Sequence, residues 1–325
     1  MDDRDRLARL TDGYLVTQLL HVAVVLGVPE ALAAGPLSID DLAREVGAMP
    51  DTLRRVARGL AAEDVLEECA DGRFALTAMG QLLRSGVPGS LRGTVVARGE
   101  VYFGAIAGLL DTLRGGGTPF ERVHGRSFFE FLAEDPGRRA AFSASMADRS
   151  THEAAAVVAA YDVTRWASVV DVGGGTGALL RAVRDQAPQT DVVLLDRPEV
   201  VAGSDLPSLA GDFFEAVPAG ADAYLLSRVL HDWDDRDAVR ILRTCRTAMR
   251  PDSVLVLVEA ILPERATEDP AAVRMDLHML VLLGGRERTL AEYDALMEAA
   301  GLRRTAQART DAGVYVLEAR QAPAS

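Results

Sequence analysis

The chain has 325 residues, of which 49% are hydrophobic, and its formal net charge is −13. This length and composition predict two domains with a sizeable core, while the negative charge argues against a nucleic-acid partner, whose phosphates would be repelled. All the basic residues are arginines, which excludes a mechanism that forms a Schiff base with lysine.

Neither membrane insertion nor secretion is indicated by the sequence. No apolar run reaches the ~20 residues that span a bilayer, and residues 1–6 (MDDRDR) do not start a signal peptide. We therefore expect a cytoplasmic protein with no membrane partner. Cys69 and Cys245 lie far apart without a metal-ligand spacing, so we expect two reduced thiols and no bound metal.

Residues 1–90 are predicted to form a helical dimerisation domain. The stretch from Leu7 to Leu26 is apolar on most helix faces, so it needs a partner, which is either its own domain's core or a second subunit.

The segment 38–86 has the pattern of a winged helix. A helix start at Ser38, a second helix from Pro50 and a turn at Asp71-Gly72 predict two helices followed by a hairpin. From Ser38 to Val87, six arginines stand against nine acidic residues, a balance of −3, whereas DNA-binding domains are usually basic. A structural or dimerisation role is therefore favoured over DNA binding.

Residues 91–160 are predicted to form a mostly helical linker that is rich in phenylalanine, with a flexible break at residues 115–119 (GGGTP). Aromatic and methionine clusters on helices form either an ordinary core or the wall of an apolar cavity. In the second case, Phe142 and Met146 would contact the substrate.

The stretch 168–177 (SVVDVGGGTG) is predicted to form a ligand-binding loop. Its valines indicate a buried strand, and helical spacing resumes over residues 178–183. The glycines between them allow positive φ and let a ligand approach the main chain, at the place where open α/β sheets bind ligands.

Two ligand classes fit this loop on its own. Gly173, Gly175 and Ala178 satisfy a dinucleotide fingerprint. Asp171, however, suits an amine and would repel a pyrophosphate, and Asp196 ends the next strand where it can accept both ribose hydroxyls. The pattern Asp-x-Gly-x-Gly-x-Gly resembles the first motif of the S-adenosylmethionine (SAM) methyltransferases.

Strands and helices alternate after the loop, which predicts an α/β domain over residues 161–325 with a doubly wound, Rossmann-like sheet. Strands are expected at 191–195, 222–226 and 254–259, with a helix at 236–249. The stretches 302–308 and 314–319 predict a terminal antiparallel pair.

Three further segments follow the expected strands, at 211–214 (GDFF), 227–233 (SRVLHDW) and 258–263 (VEAILP). Together with the N-terminal domain and residues 284–289 (GGRERT), they make the whole chain resemble small-molecule O-methyltransferases that act on phenols. That family includes plant caffeate and acetylserotonin enzymes and bacterial enzymes that tailor polyketides. The resemblance implies a homodimer that uses SAM, releases S-adenosylhomocysteine (SAH) and methylates an aromatic hydroxyl.

The resemblance also implies roles for individual residues. His231 corresponds to the general base, with Glu259 and Glu287 as the carboxylates that hold its imidazole. The expected cofactor contacts are Asp171, Gly173, Gly175, Asp196, Asp212, Phe213, Ser227 and Trp233. The expected substrate contacts are Phe142, Met146, Asp232, Asp276 and Met279. At Ser227, plant members often have a lysine that reaches the cofactor's carboxylate, and Arg228 is an alternative donor here.

The chemistry independently supports His231 as a base. A phenol of pKa ~10 is mostly protonated at neutral pH, and a histidine of pKa ~6.5 can accept its proton, particularly beside carboxylates. The alternatives are a histidine that caps the next helix, or a metal site formed with Asp232, Asp234 and Asp235. We favour Asp234 as the N-cap of that helix.

Two other functions remain as alternatives. A protein of the same fold may bind SAM yet hydroxylate, decarboxylate or cyclise its substrate, although the combination of His231 with Glu259 and Glu287 favours methyl transfer. A transcription regulator would need a basic surface that the winged helix lacks.

Overall fold

The computed structural model describes residues 2–323, except for the side chains of residues 136, 140, 141 and 143–148. The chain divides into two compact units. The first contains the residues up to Leu110 with Val123–Gly125 and Phe129–Met146, and the second contains Asp111–Arg122, Arg126–Phe128 and the chain from Ala147 onward.

The first part of the chain is helical apart from one hairpin. Its elements are α1 (Asp3–Thr11), α2 (Gly13–Leu26), α3 (Val28–Ala31), α4 (Ile39–Val46), α5 (Pro50–Ala62), β1 (Leu66–Glu68), β2 (Phe74–Leu76), α6 (Ala78–Gln81), α7 (Arg92–Ala97), a π-helical turn (Arg98–Tyr102), α8 (Phe103–Ala105), α9 (Leu109–Gly115), α10 (Pro119–His124), α11 (Phe128–Ala133) and α12 (Pro136–Ala160).

The predicted winged-helix elements are present in order. Ser38 caps α4 by accepting a hydrogen bond from the backbone N–H of Asp41, and Gly47 ends that helix at a φ of 67°. Pro50 begins α5, and β1 pairs antiparallel with β2.

The single helix expected from Leu7 to Leu26 is instead two helices, α1 and α2, which meet at Asp12. Asp12 accepts a hydrogen bond from the backbone N–H of Leu15 through its own carbonyl, and this turn separates the helices. Leu7 and Leu10 are 64% and 69% exposed, so α1 buries little of its apolar face within this chain.

The second part of the chain is the α/β domain. Its elements are β3 (Ser168–Val172), α13 (Ala178–Gln186), β4 (Asp191–Asp196), α14 (Pro198–Val201), β5 (Ser208–Ala210), β6 (Ala223–Ser227), a 3-10 turn (Leu230–Asp232), α15 (Asp235–Ala248), β7 (Val254–Glu259), α16 (Pro270–Leu282), α17 (Leu290–Ala299), β8 (Leu302–Arg309) and β9 (Tyr315–Gln321).

The strands of this domain form one sheet with the order β5-β4-β3-β6-β7-β9-β8 within the described residues. Strands β3 to β7 pair in parallel, whereas β9 is antiparallel to both β7 and β8. The predicted fold class is therefore confirmed, including the terminal antiparallel pair.

Apolar side chains cover both faces of the sheet. Val170 and Leu226 belong to one core, while their neighbours Val169 and Leu225 belong to the other. This alternation buries both faces, as in other sheets with helices on each side.

In the part of the chain that the structure describes, no single helix is both long and apolar enough to cross a membrane. Only α2 taken together with residues 28–34 passes such a test, and that pair is bent by 60°.

Candidate active site

The site is built at one edge of the sheet, where the parallel strands end. Asp196, Ser227 and Glu259 are the last residues of β4, β6 and β7, and the glycine loop leaves β3 at Val172. Because these strands are neighbours and parallel, their carboxyl ends lie side by side.

Gly173, Gly174 and Gly177 of the glycine loop leave little or no room for a side chain. Gly173 has a φ of 71°, and a Cβ there would lie 3.1 Å from Val229 and 3.3 Å from Phe213. Gly177 has a φ of 77° and caps α13. The loop thus brings its backbone N–H groups to the sheet edge at the start of a helix.

Asp171, for which the sequence predicts a cofactor contact, is fully buried. A Cβ on Gly174 would lie only 2.3 Å from Oδ2 of Asp171, so the carboxylate is enclosed beneath the loop. Neither oxygen has a hydrogen-bond partner among the described residues. Burial, helped by the charge of Asp196, raises the pKa of Asp171 to about 7.

Backbone N–H groups fix the carboxylate of Asp196. Its Oδ2 accepts a hydrogen bond from the backbone N–H of Gly175 at 2.8 Å, and its Oδ1 accepts one from Arg197 at 2.7 Å. The side chain is half-buried, so its remaining lone pairs can accept hydroxyl groups. Asp212 is exposed and accepts a hydrogen bond from the N–H of Phe214.

Three aromatic side chains form a cluster at this edge of the sheet. Trp233 is 4.7 Å from Phe214 and 6.1 Å from Phe213 between ring centroids, both edge to face. Phe213 also approaches Gly173, so the aromatic group reaches the glycine loop. Together with Asp196, these rings fit an adenosine, which needs an aromatic surface for its base and an acceptor for its ribose.

His231 is buried among carboxylates. Its Nδ1 lies 2.9 Å from Oε1 of Glu287 and 3.9 Å from Oε2 of Glu259, while its Nε2 is 3.3 Å from Oδ1 of Asp232. Glu259 is fixed in turn, since its Oε1 accepts hydrogen bonds from the N–H groups of Val229 and Leu230. The structure therefore brings together the three residues that the sequence predicted.

The carboxylates change the proton affinity of the histidine. Burial alone lowers the pKa of His231, but the negative charges of Asp232, Glu259 and Glu287 outweigh it and raise the pKa to about 9. Burial raises the pKa of Glu259 to about 7. Burial also opposes the charge on Glu287, but its hydrogen bond to His231 and the nearby Arg228 hold its pKa below the usual value.

Residues 285–288 hold the His231 loop in place, which sequence analysis missed. The N–H of Arg286 donates to the carbonyl of His231 at 2.9 Å. A Cβ on Gly285 would lie 2.1 Å from that same carbonyl oxygen. The two chain segments therefore touch through their backbones.

The side chain of Arg288 also binds this loop, through several hydrogen bonds. Its side chain is fully buried and donates to the carbonyl of Leu230 at 2.9 Å, to that of Trp233 at 2.8 Å and to Oδ1 of Asp235. The motif 284–289 was noted in the sequence, but only Glu287 was given a role there. An arginine 55 positions beyond Trp233 carries no local signal of this contact.

Arg228 contacts two glutamates. Its guanidinium binds both oxygens of Glu153 and lies 3.5 Å from Glu287. The role of Arg228 as an alternative donor to the cofactor stays a prediction. Ser227 is half-buried at the end of β6, and the donor that replaces the lysine of plant relatives stays unassigned.

The predicted substrate residues fall in different places. Asp232 is partly exposed beside His231, and Asp276 accepts a hydrogen bond from the N–H of Glu287. Met279 is buried on α16, and Phe142 is half-buried on α12 in the first unit. The side chain of Met146 lies outside the described residues.

His231, Glu259 and Glu287 also have the spacing of a cation site, because one ligand atom of each lies within 4.8 Å of the others. The negative charge of Glu287 is already balanced by the guanidinium of Arg228, and Glu259 already accepts hydrogen bonds from two backbone N–H groups. Asp234 accepts a hydrogen bond from the N–H of Asp237 and caps α15, as predicted. The absence of a bound metal stays a prediction.

Family models match most of the chain. One described as an O-methyltransferase domain covers residues 106–303, and one described as an O-methyltransferase dimerisation domain covers residues 8–86.

Individual proteins are similar over nearly their whole length. A phenazine O-methyltransferase of Lysobacter antibioticus is 39% identical, with 97% of this chain and 95% of that one covered. A mitomycin biosynthesis 6-O-methyltransferase of Streptomyces lavendulae is 41% identical, with 96% and 93% covered.

Solved structures are similar as well. An O-methyltransferase from neocarzinostatin biosynthesis, in complex with SAM and 2-hydroxy-5-methyl naphthoic acid, is 32% identical with a TM-score of 0.84, over 94% of this chain and 96% of that one. Human N-acetylserotonin methyltransferase in complex with SAM is 26% identical with a TM-score of 0.90, over 99% of each chain.

Proposed function

Since the chain belongs to the O-methyltransferase family and uses SAM as its methyl donor, we propose that His231 is the general base that deprotonates a phenolic hydroxyl of an aromatic natural product. The observation that carries this proposal is the buried hydrogen bond between Nδ1 of His231 and Glu287. It leaves Nε2 as the ring nitrogen that can receive a proton from an acceptor.

SAM supplies an electrophilic methyl group on a sulfonium: as the acceptor oxygen bonds to the methyl carbon, the carbon–sulfur bond breaks, its electron pair stays on sulfur, and SAH leaves. The residues of this chain have two tasks in that step. Asp196, Gly173 and the rings of Phe213 and Trp233 are proposed to hold the adenosine end of the donor. The acceptor's proton passes to Nε2 of His231 and must later reach the solvent.

Glu287 and Glu259 are proposed to stabilise the charged imidazole. A histidine that gains a proton in a buried site needs negative charge nearby, because the low local dielectric penalises an isolated cation. Glu287 supplies it through a hydrogen bond, and Glu259 supplies it at 3.9 Å while fixed by two N–H groups. Asp276 contributes by holding the backbone of Glu287.

The acceptor class is proposed from the relatives. Three of them are named as methyltransferases of a phenazine, an amino-hydroxybenzoate and a dihydroxy-naphthoate, and a fourth is named for mitomycin biosynthesis. These molecules contain fused or substituted aromatic rings, so we propose an acceptor of that kind, contacted by Asp232 and Met279. The substrate contacts expected of Phe142 and Met146 stay predictions. The alternative without methyl transfer is not favoured, because the relatives named here are methyltransferases.

We further propose that residues 1–90 form the dimerisation domain of a homodimer, with residues 91–160 as linker and 161–325 as catalytic domain. The exposed apolar side chains of α1 and α2 support a second copy as their partner. The cytoplasmic location expected from the sequence stays a prediction.

Mass spectrometry tests the proposed reaction. Purified protein is mixed with SAM and a panel of mono- and polycyclic phenols, and products are screened for a gain of one methyl group together with SAH. Methylation of at least one aromatic hydroxyl, lost in His231→Ala, is expected. Methylation that survives this substitution unchanged would contradict the role of His231.

A further inference from the structure

Arg228 has an unusual backbone conformation next to the proposed base. It follows the last residue of β6 with a φ of 56°, a left-handed value that side-chain-bearing residues seldom adopt. Its N–H donates to the carbonyl of Val258, which fixes the turn. Such conformations persist only where the surroundings hold them in place and are frequent at functional sites.

The guanidinium that leaves this turn is almost enclosed and lies between two buried carboxylates. Nε and Nη2 of Arg228 bind the two oxygens of Glu153 at 3.2 and 2.8 Å. Nη1 points the other way, 3.5 Å from Oε1 of Glu287, and has no hydrogen bond among the described residues. Glu153 also lies 3.6 Å from Nε of Arg149.

One oxygen atom thus connects Arg228 with His231. Oε1 of Glu287 accepts the hydrogen bond from Nδ1 of His231 at 2.9 Å and is the same atom that Arg228 approaches. The positive charge of Arg228 repels a second positive charge on the nearby imidazole. Arg228 and Glu287 together therefore stabilise an imidazolium less than Glu287 alone would.

We propose that Arg228 is a positioning residue that shares Glu287 with His231 and so limits how tightly the histidine retains the proton taken from the acceptor. This inference rests on the proposed function, in which His231 must release that proton after every turnover. Glu153 opposes this effect of Arg228. Its negative charge draws the guanidinium away from Glu287 and partly neutralises the positive charge of Arg228.

The charged groups that the structure describes around the histidine are of both signs. Asp232, Glu259 and Glu287 surround the ring and favour its protonated form. The guanidinium groups bring positive charge to the same cluster: Arg228 favours the ionised forms of all three carboxylates, and Arg149 favours those of Asp232 and Glu287. The hydroxyl of Tyr293, buried in the same cluster, carries no charge at neutral pH because burial raises its pKa.

The test uses two substitutions that should act in opposite directions. Arg228→Gln removes the cation and should raise the pKa of His231, whereas Glu153→Gln strengthens the effect of Arg228 on Glu287 and should lower it. Each shift should be roughly half to one and a half pKa units for charges at this separation in a partly screened interior. Arg228→Lys keeps the charge and should stay near wild type. Arg165→Gln, which removes an arginine paired with Glu318 instead, is the matched control and should leave the titration unchanged.

Two measurements separate this inference from the proposed function. The imidazole titration of His231 is followed by NMR in the SAH-bound protein, with the resonance assigned by its loss in His231→Gln. The pH profile of methyl transfer is recorded in parallel, and its limb should move with the NMR titration. Opposite shifts in Arg228→Gln and Glu153→Gln support the inference even if the pH profile shows that another residue is the base.

Other outcomes overturn the inference. If both variants lose activity while the NMR titration stays in place, the network is only structural. Shifts in the same direction would equally exclude the sharing of Glu287. Should Arg228→Gln fail to fold, Glu153→Gln alone decides. An unchanged or raised pKa of His231 in that variant contradicts the proposed role of Glu153.

Discussion

The pH dependence of methyl transfer offers a sharp test of the base. Without ligands, the pKa of His231 is about 9, so at pH 7.5 only about 3% of the imidazole is neutral. We expect kcat/KM for a weakly acidic phenol to rise about tenfold per pH unit from neutral pH and to level off near pH 9.

The rise of kcat with pH should occur at lower pH than the rise of kcat/KM. The former reports the enzyme with its substrates bound, and the sulfonium of bound SAM places a positive charge at the site. That charge disfavours imidazolium and opposes the carboxylates. The separation between the two limbs therefore measures how strongly the methyl donor itself lowers the proton affinity of His231.

His231→Ala separates proton removal from substrate positioning. For an un-ionised phenol, the loss should be ~10²–10⁴-fold, and the limb that belongs to the histidine should vanish. An acceptor whose hydroxyl is already ionised at neutral pH, such as a nitrocatechol, should keep much of its rate. SAH affinity, measured by calorimetry, serves as the control and should stay near wild type. An equal loss for both acceptors would refute the reasoning, because it would mean that the ring only positions the substrate.

Three further predictions concern the cofactor site, the buried carboxylate and the dimer. Asp196→Ala should weaken SAH binding about tenfold or more, since an unpaired ribose hydroxyl costs ~1–3 kcal/mol, and an unchanged calorimetric affinity would contradict the assignment. Because the pKa of Asp171 is raised to about 7, the folded state binds more protons than the unfolded state between pH 4 and 7, so stability should fall as pH rises through that window. Asp171→Asn should reduce this fall in urea titrations at pH 5 and pH 8, and an identical pH dependence would argue against a buried, unpaired charge. Leu10→Glu should weaken the dimer, because Leu10 is 69% exposed on an otherwise unpartnered apolar face, and light scattering that shows a monomeric wild type at micromolar concentration would exclude the dimer altogether.

The sequence was sufficient to predict the sheet and the identity of the central side chains. Glycines after a valine-rich strand, alternating strands and helices, and a histidine with two distant glutamates are all visible as local patterns or family motifs. The structure then placed His231, Glu259 and Glu287 together as expected.

What escaped prediction depends on long-range geometry. The pairing of Arg228 with Glu153 spans 75 positions, and the contact of Arg288 with Leu230 spans 58, so neither leaves a periodic or spacing signal. The burial of Asp171 also escaped prediction, because strand alternation and the close cover by Gly174 decide where its side chain lies. The turn at Asp12 escaped because apolar periodicity continues on both sides of it.

The attachment of Leu230 and Trp233 to a single arginine has a consequence for redesign. The 3-10 turn and the tryptophan next to it carry the proposed base and part of the aromatic surface proposed for the donor. One guanidinium links both ends of this short segment to residues 286–288. A substitution that loosens this tie would disturb donor recognition and proton transfer together. Acceptor preference should therefore be easier to alter from α16, where a changed side chain leaves the contacts of Arg288 intact, than from the segment 230–235.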